Sequence, residues 1–183
     1  MIVIHPKDRT TSFLSKLYEG IDDAVVITEA FNKKEINHIF HHTAKNERIM
    51  LLGHGGCNGL YWRSDDTKSE FEGIVVGHQH KYYLRNHGSN IVTVFCYADK
   101  FAENEHLHGL FTGMIISEMS EAVAEGIETT EEEIERENLK FVSRLRFLLD
   151  EKIPLCEIPM RMLALDDIHS PLTKFNYQRI YYM

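Results

Sequence analysis

Two residues, His54 and Cys96, follow short apolar runs and carry side chains that could together perform nucleophilic chemistry. His54 comes just after the run Ile49–Leu52 and is followed by a pair of glycines. Cys96 closes a second apolar run that begins at residue 91. A cysteine attacks as its thiolate, and a histidine within reach can accept the proton. Strands paired in a sheet lie ~4.8 Å apart. We therefore expect the two side chains to converge if the two runs form neighbouring parallel strands.

The two glycines after His54, Gly55 and Gly56, fit the same chemistry. A residue without a Cβ atom lets the backbone turn its N–H groups toward a ligand and lets the ligand approach closely. Such N–H groups stabilise the oxyanion that forms when a nucleophile attacks a carbonyl group. The glycine pair therefore indicates an anion-stabilising turn beside His54.

Short apolar runs alternate with amphipathic segments along most of the chain. Strands are predicted at residues 2–4, 24–28, 49–52 and 91–97, with a small hairpin arm at 60–63. Helices are predicted after an N-cap at Thr11 or Ser12, after Asn32, over residues 75–84, and from Thr130 to before Pro154. Residues 110–117 suit either a strand or a helix. This order predicts an α/β fold with three layers, α/β/α, around a mostly parallel sheet.

The whole chain, residues 1–183, is expected to form a single domain. Residues 118–183 read as a helical and irregular C-terminal extension, whose tail from residue 155 onward has no clear pattern. In parallel sheets, ligands bind at the carboxyl ends of the strands. His5 and Glu29 are predicted at that edge too. His5 could line the cleft or merely pack beside Pro6, and Glu29 could orient His54.

Composition excludes several classes of protein. The net charge of −8, with no cluster of Lys or Arg, argues against binding to nucleic acid. The N-terminus has no signal-peptide pattern, and no window approaches the ~18 apolar residues of a membrane span. Three widely spaced cysteines are typical of reduced thiols. We therefore expect a cytoplasmic protein with no membrane partner.

Eleven histidines keep a metal-dependent hydrolase open as one alternative function. His54 and Cys57 have a zinc-like spacing, and the pair His78 and His80, or the pair His106 and His108, could complete a site. The Gly-His-x-His at residues 77–80 is similar to one motif of metallophosphoesterases, but the other motifs of that family are missing. The simpler prediction is that His78 and His80 lie on an exposed helix face.

The pairing of a His-Gly strand end with a downstream Cys strand end resembles the caspase-like (clan CD) cysteine peptidases. This group includes caspases, clostripain, gingipains, legumain, separase and the bacterial CHAT-domain proteases. The stretch MLLGHGGCNGLYW is most similar to the His-Gly block on the clostripain and gingipain side, and the resemblance covers residues 1–117. It implies a caspase-like fold in which residues 110–117 form the fifth strand.

The same resemblance implies a bacterial-type thiol protease that hydrolyses a peptide or protein substrate and needs no cofactor or metal. His54 would be the catalytic histidine and Cys96 the nucleophile, and the backbone N–H groups of Gly55 and Cys96 would form the oxyanion hole. Asp65, Asp66 and Asp99 could receive a basic substrate side chain.

The chain departs from the family at two points: the residue before the cysteine is Phe95 rather than a small residue, and no glycine follows Cys96 closely. The alternative is therefore a non-catalytic caspase-like interaction module. The sequence makes no prediction about oligomeric state.

Overall fold

The computed structural model describes residues 1–29, 32–68 and 70–183, and it is an α/β structure built on a six-stranded sheet. The strands are β1 (Ile2–Ile4), β2 (Val25–Ile27), β3 (Ile49–Leu52), β4 (Gly55–Gly56), β5 (Gly59–Trp62), β6 (Gly73–Gly77), β7 (Ile91–Val94), β8 (Gly109–Thr112) and β9 (Ile180–Tyr182). The main sheet has the order β2-β1-β3-β7-β8-β9, and only β9 runs antiparallel to its neighbour. The prediction of a mostly parallel sheet is confirmed.

The helices cover both faces of this sheet. They are a 3-10 helix (Arg9–Leu17), α1 (Lys33–His42), a 3-10 turn (His78–His80), α2 (Lys81–Arg85), α3 (Ala98–Glu105), α4 (Met119–Ala124), α5 (Glu131–Asp150), α6 (Ile158–Leu165) and α7 (Pro171–Tyr177). Met50 and Leu52 of β3 pack with α5 and the 3-10 helix, whereas Ile49 and Leu51 pack with α1, α2 and α3. Because successive strand residues point to opposite faces, one short strand joins both cores. This arrangement is compatible with three layers.

The last third of the chain is part of this architecture. The helix α5 packs against the 3-10 helix, and β9 pairs with β8 to extend the sheet by one strand. Thr130 caps α5 by accepting a hydrogen bond from the backbone N–H of Glu133, as its spacing predicts. The described residues include no helix that is long and apolar enough to cross a membrane.

Two of the predicted helices are wrong in part. Residues 75–84 begin as a strand, because Val76 pairs with Leu60 in an antiparallel sheet of β4, β5 and β6, and only α2 and a 3-10 turn follow. The helix after β1 starts earlier than expected, since Asp8 rather than Thr11 or Ser12 accepts the capping hydrogen bond. The hairpin arm at 60–63 corresponds to β5, and the ambiguous segment 110–117 begins as β8.

Candidate active site

His54 and Cys96 lie at the same edge of the sheet, beyond the ends of two strands that pair directly. Strands β3 and β7 are parallel and in register to their last residues, Leu52 and Val94. His54 and Cys96 each follow two positions later, so the register places them side by side along the sheet edge. Both residues line one cavity of about 450 Å³. The two runs are therefore neighbouring parallel strands, which is the condition set for the two side chains to converge, and their ends share one opening.

The imidazole of His54 is held by two residues of the segment that follows β1. Nε2 of His54 lies 2.7 Å from Oγ1 of Thr10 and 3.5 Å from Oδ1 of Asp8. The Thr10 hydroxyl donates its only proton to Asp8, at 2.7 Å. With that proton on Asp8, the hydroxyl oxygen accepts from His54, and Nε2 is then the protonated nitrogen of the neutral ring. This assignment leaves Nδ1 with a free lone pair, which is the form a general base needs.

Asp8 is a buried carboxylate that is kept ionised by its partners. Burial would raise its pKa, but hydrogen bonds from Arg63 and from Thr10 outweigh the burial and hold the pKa below its usual value. The guanidinium of Arg63 donates through Nε at 2.7 Å. This carboxylate is the charged group that lies 3.5 Å from Nε2 of His54. The ring of Phe71 packs on the imidazole with centroids 5.3 Å apart.

The glycine pair after His54 forms β4 and pairs with β5. A Cβ atom built on Gly55 would lie 2.8 Å from Cγ of Phe95 and 2.7 Å from the carbonyl oxygen of Gly59. The bulky residue before Cys96 thus occupies the space that a side chain at position 55 would need. Gly55 lines the cavity together with His54 and Cys96, in a strand rather than a turn, and its oxyanion role stays a prediction.

The thiol of Cys96 is mostly buried and faces two acceptors. Its single S–H proton is shared between the carbonyl oxygen of Ile115, 3.7 Å from Sγ, and Oε1 of Glu121, 3.9 Å from Sγ. Burial, reinforced by the charge of Glu121, raises the pKa of Cys96 to about 12. The next residue, Tyr97, has a left-handed backbone with φ of 60° and is the N-cap of α3. A non-glycine residue in this region is uncommon and stores strain, which proteins concentrate at functional turns.

Glu121 reaches Cys96 from α4 and is itself firmly held. Its Oε2 accepts hydrogen bonds from the backbone N–H and the hydroxyl of Ser117, at 2.6 and 2.9 Å, and from the N–H of Glu118 at 3.2 Å. Burial raises the pKa of Glu121. The carboxylate thus closes the start of α4 and contacts the candidate nucleophile at the same time.

Two other residues predicted at this edge have different surroundings. His5 is buried, with its ring nitrogens bonded to the Tyr18 hydroxyl and the Thr11 carbonyl oxygen, and is not among the residues that line the cavity. Burial lowers its pKa to about 4. Glu29 is exposed and lies 3.7 Å from the ammonium group of Lys7. The orienting position expected for Glu29 is occupied by Thr10 and Asp8.

The three aspartates proposed as receivers of a basic side chain are separated. Asp66 lines the cavity and accepts a hydrogen bond from the backbone N–H of Arg9. Asp65 binds Thr67 and lies with Asp66 and Glu29 in a neighbouring cavity of about 570 Å³. Asp99 lies on α3, with Lys100 4.0 Å away, and is not among the lining residues of either cavity. Only Asp66 is therefore placed beside the His54 and Cys96 pair.

The residues suggested for a metal site are not gathered together. Among residues 1–29, 32–68 and 70–183, no group of three or more His, Cys, Asp or Glu side chains is placed to hold a metal ion. His80 is buried and accepts a hydrogen bond from the N–H of Gly77, so its expected place on an exposed helix face is wrong. His78 is exposed and pairs with Glu105 at 2.8 Å.

Sequence reasoning missed Asp8, Thr10 and Glu121. Asp8 and Thr10 carry a usable signal, because they follow β1, which pairs with β3, and so leave the sheet at the same edge as His54. Glu121 has no such signal in the sequence, because only the path of the chain after β8 brings it to Cys96. Comparison of the chain with protein-family models, curated proteins and solved structures found no match.

Proposed function

We propose that this protein is a caspase-like cysteine endopeptidase that uses Cys96 as nucleophile and His54 as general base. One observation carries the proposal: His54 and Cys96 extend the register-matched ends of the paired strands β3 and β7 and line one cavity. The protonation of His54 supports it, because the Thr10 contact leaves Nδ1 able to accept a proton. The residues 1–117 that resemble the family supply both groups.

In the first half of the reaction, Nδ1 of His54 takes the proton of the Cys96 thiol. The thiolate sulfur attacks the scissile carbonyl carbon and forms a carbon–sulfur bond, while the carbonyl π electrons move to oxygen. The N–H groups of Gly55 and Cys96 donate to this oxyanion. When the intermediate collapses, the carbon–nitrogen bond breaks and the leaving amine takes the proton from His54. The products are a free amine and a thioester on Cys96.

In the second half, water hydrolyses the thioester. Nδ1 of His54 takes one proton from the water, whose oxygen attacks the thioester carbonyl carbon. The carbon–sulfur bond then breaks, the proton returns to the sulfur, and a carboxylic acid leaves. Asp8 and Thr10 act as positioning residues in both halves: they hold Nε2–H, and the charge of Asp8 stabilises the imidazolium that forms twice in each cycle.

The alternative function is a non-catalytic interaction module with the same fold, and one observation favours it. The Cys96 thiol is mostly buried and has a raised pKa, with its single S–H proton shared by a carbonyl oxygen and a carboxylate. A reactive cysteine normally has a lowered pKa. Catalysis therefore requires that these contacts open when a substrate binds.

The experiment that separates the two functions is cleavage of a peptide library, read by mass spectrometry. Wild-type protein should release fragments, Cys96→Ala should release none, and Cys57→Ala should match the wild type. Cys57 is the matched control because it is an exposed thiol in the turn that follows Gly56. Wild-type protein that cleaves no peptide, or Cys96→Ala protein that cleaves as well as wild type, would refute the peptidase function.

A further inference from the structure

We propose that Glu121 is an autoinhibitory lock that holds the Cys96 thiol in its protonated, unreactive form until α4 moves away. The lock concerns the resting state of the thiol, and its effect on turnover rests on the peptidase function proposed above. Nothing in the mechanism requires a carboxylate at this place, and general-base catalysis by His54 would work better without it.

The contact between Glu121 and Cys96 opposes the formation of a thiolate. Two acceptors share the single S–H proton of Cys96: Oε1 of Glu121, 3.9 Å from Sγ, and the carbonyl oxygen of Ile115. Both partners only accept hydrogen bonds when Glu121 is ionised, so both favour the thiol over the thiolate. Ionisation of Cys96 would place two negative charges side by side in a buried site. Burial is the largest cause of the raised pKa of Cys96, and the charge of Glu121 adds to it.

The lock is held in place by the start of α4. The second oxygen of Glu121 accepts three hydrogen bonds from Ser117 and Glu118, which satisfy backbone N–H groups at the beginning of the helix. One carboxylate therefore serves two groups, and a shift of the helix start would withdraw it from Cys96.

The helix α4 is suited to such a shift. It spans only six residues, and Ala122 is its one buried residue. Ala122 packs in a small cluster with Ile116, Ile134 and Leu172, separate from the two larger clusters on the faces of the sheet. Movement of α4 would therefore disturb one small cluster and leave the packing of the sheet intact.

The remaining ionisable groups around the cavity are mixed in sign. They are Arg9, His54, Arg63, Asp66, Lys68 and Glu118. Arg63 is already paired with Asp8. Glu121 is the carboxylate in hydrogen-bond contact with the sulfur of Cys96. Its removal should therefore change the pKa of Cys96 more than the removal of any other ionisable group that lines the cavity.

The test is the rate at which iodoacetamide alkylates Cys96, measured against pH in protein that carries Cys57→Ser and Cys156→Ser. The chain has three cysteines, so Cys96 is then the sole thiol. Both replaced residues are exposed, so their substitution should not disturb the fold. In this background Glu121→Gln should alkylate about tenfold faster or more at neutral pH, which corresponds to a fall of about one unit in the thiol pKa. Glu125→Gln is the control, since Glu125 is exposed at the end of the same helix. Equal rates in Glu121→Gln and in the unsubstituted background would overturn the lock, as would an equal acceleration by Glu125→Gln.

A second measurement stands even if Glu121→Gln does not fold. The infrared S–H stretching band of the Cys96-only protein should persist at about pH 9, where an ordinary cysteine is largely ionised. Loss of the band near neutral pH would overturn the lock. Alkylation and the S–H band report on the thiol whether or not a peptide is cleaved. A lock that passes both tests in a protein without peptidase activity would refute the proposed function alone.

Discussion

The hydroxyl of Thr10 lies 2.7 Å from Nε2 of His54 and gives its own proton to Asp8. With this donation, the neutral imidazole carries its proton on Nε2 and offers Nδ1 as the acceptor. The contact also links β1 to β3, because Thr10 follows the first strand and His54 follows its neighbour in the sheet. The orientation of His54 therefore depends on residues that follow β1, outside the His-Gly-Gly stretch itself.

The Nε2–H form of His54 should be visible by NMR. We expect long-range ¹H–¹⁵N spectra of the wild type at about pH 8 to show a protonated Nε2 and an unprotonated Nδ1. The reason is that the Thr10 hydroxyl, while it donates to Asp8, can only accept a hydrogen bond from Nε2. Thr10→Val should weaken this preference and lower kcat by about tenfold to a hundredfold, as part of the roughly 10²–10⁴-fold that a general base supplies. Ser12→Ala is the control, since Ser12 is exposed and bonds Arg9 instead. A wild-type ring protonated at Nδ1 would contradict the assigned role of Thr10.

Gly55→Ala should destabilise the fold. The new methyl group would meet the ring of Phe95 and the carbonyl oxygen of Gly59, and overpacking of this kind costs about 1–3 kcal/mol. Gly88→Ala is the matched control, because its nearest neighbour would be the Arg85 carbonyl oxygen at an ordinary 3.7 Å. Urea unfolding of both variants measures the difference. A loss for Gly55→Ala no larger than that for Gly88→Ala would show that Phe95 and Gly55 are not packed as described.

Stability should fall on mild acidification because of His5. Its pKa is about 4 in the folded protein against 6.5 for the free group, so the unfolded chain binds the proton more tightly between these values. The free energy of unfolding is therefore not reduced by His5 above about pH 6.5, and it falls as the pH drops from 6.5 toward 4. Between pH 7 and pH 5, His5 should lower it by about 2 kcal/mol.

The measurement for His5 is urea unfolding at pH 7 and at pH 5, in the wild type and in His5→Gln. Burial also lowers the pKa of His80, so His80 destabilises the fold at acidic pH in the same way. The free energy of unfolding of His5→Gln should therefore still fall between pH 7 and pH 5, but by less than in the wild type. An identical decline in both proteins would mean that His5 is not buried in its neutral form.

The sheet is the part of the fold that the sequence predicts best. Strands β1, β3 and β7 are buried on both faces, so β1 and β3 are apolar throughout and β7 is interrupted only by Thr93. Residues 75–84 are misleading because Val75, Val76 and Leu84 also fit a helical face. What decides their structure is the pairing of Val76 with Leu60, a contact between separate segments that local spacing does not reveal.

The same distinction holds in the site. His54 and Cys96 can be predicted because each follows an apolar run whose end is recognisable. The network around them arises from tertiary contacts: Thr10 lies 44 positions from His54, and Glu121 lies 25 positions from Cys96. Asp8 resembles an ordinary turn residue until the fold brings Arg63 against it. The sequence therefore predicts where the pair lies, gives an indirect signal for Asp8 and Thr10 through the pairing of β1 with β3, and gives none for Glu121.

The most direct test of the account is detection of the thioester. Protein mixed with a peptide ester and quenched in acid is analysed by intact mass and by peptide mapping. We predict that one acyl group appears on Cys96 in the wild type, is absent in Cys96→Ala, and forms about a hundredfold more slowly or worse in His54→Ala, because the base is lost. An acyl group found on Cys57 or Cys156, or one that forms on Cys96 equally fast without His54, would contradict catalysis by the His54 and Cys96 pair.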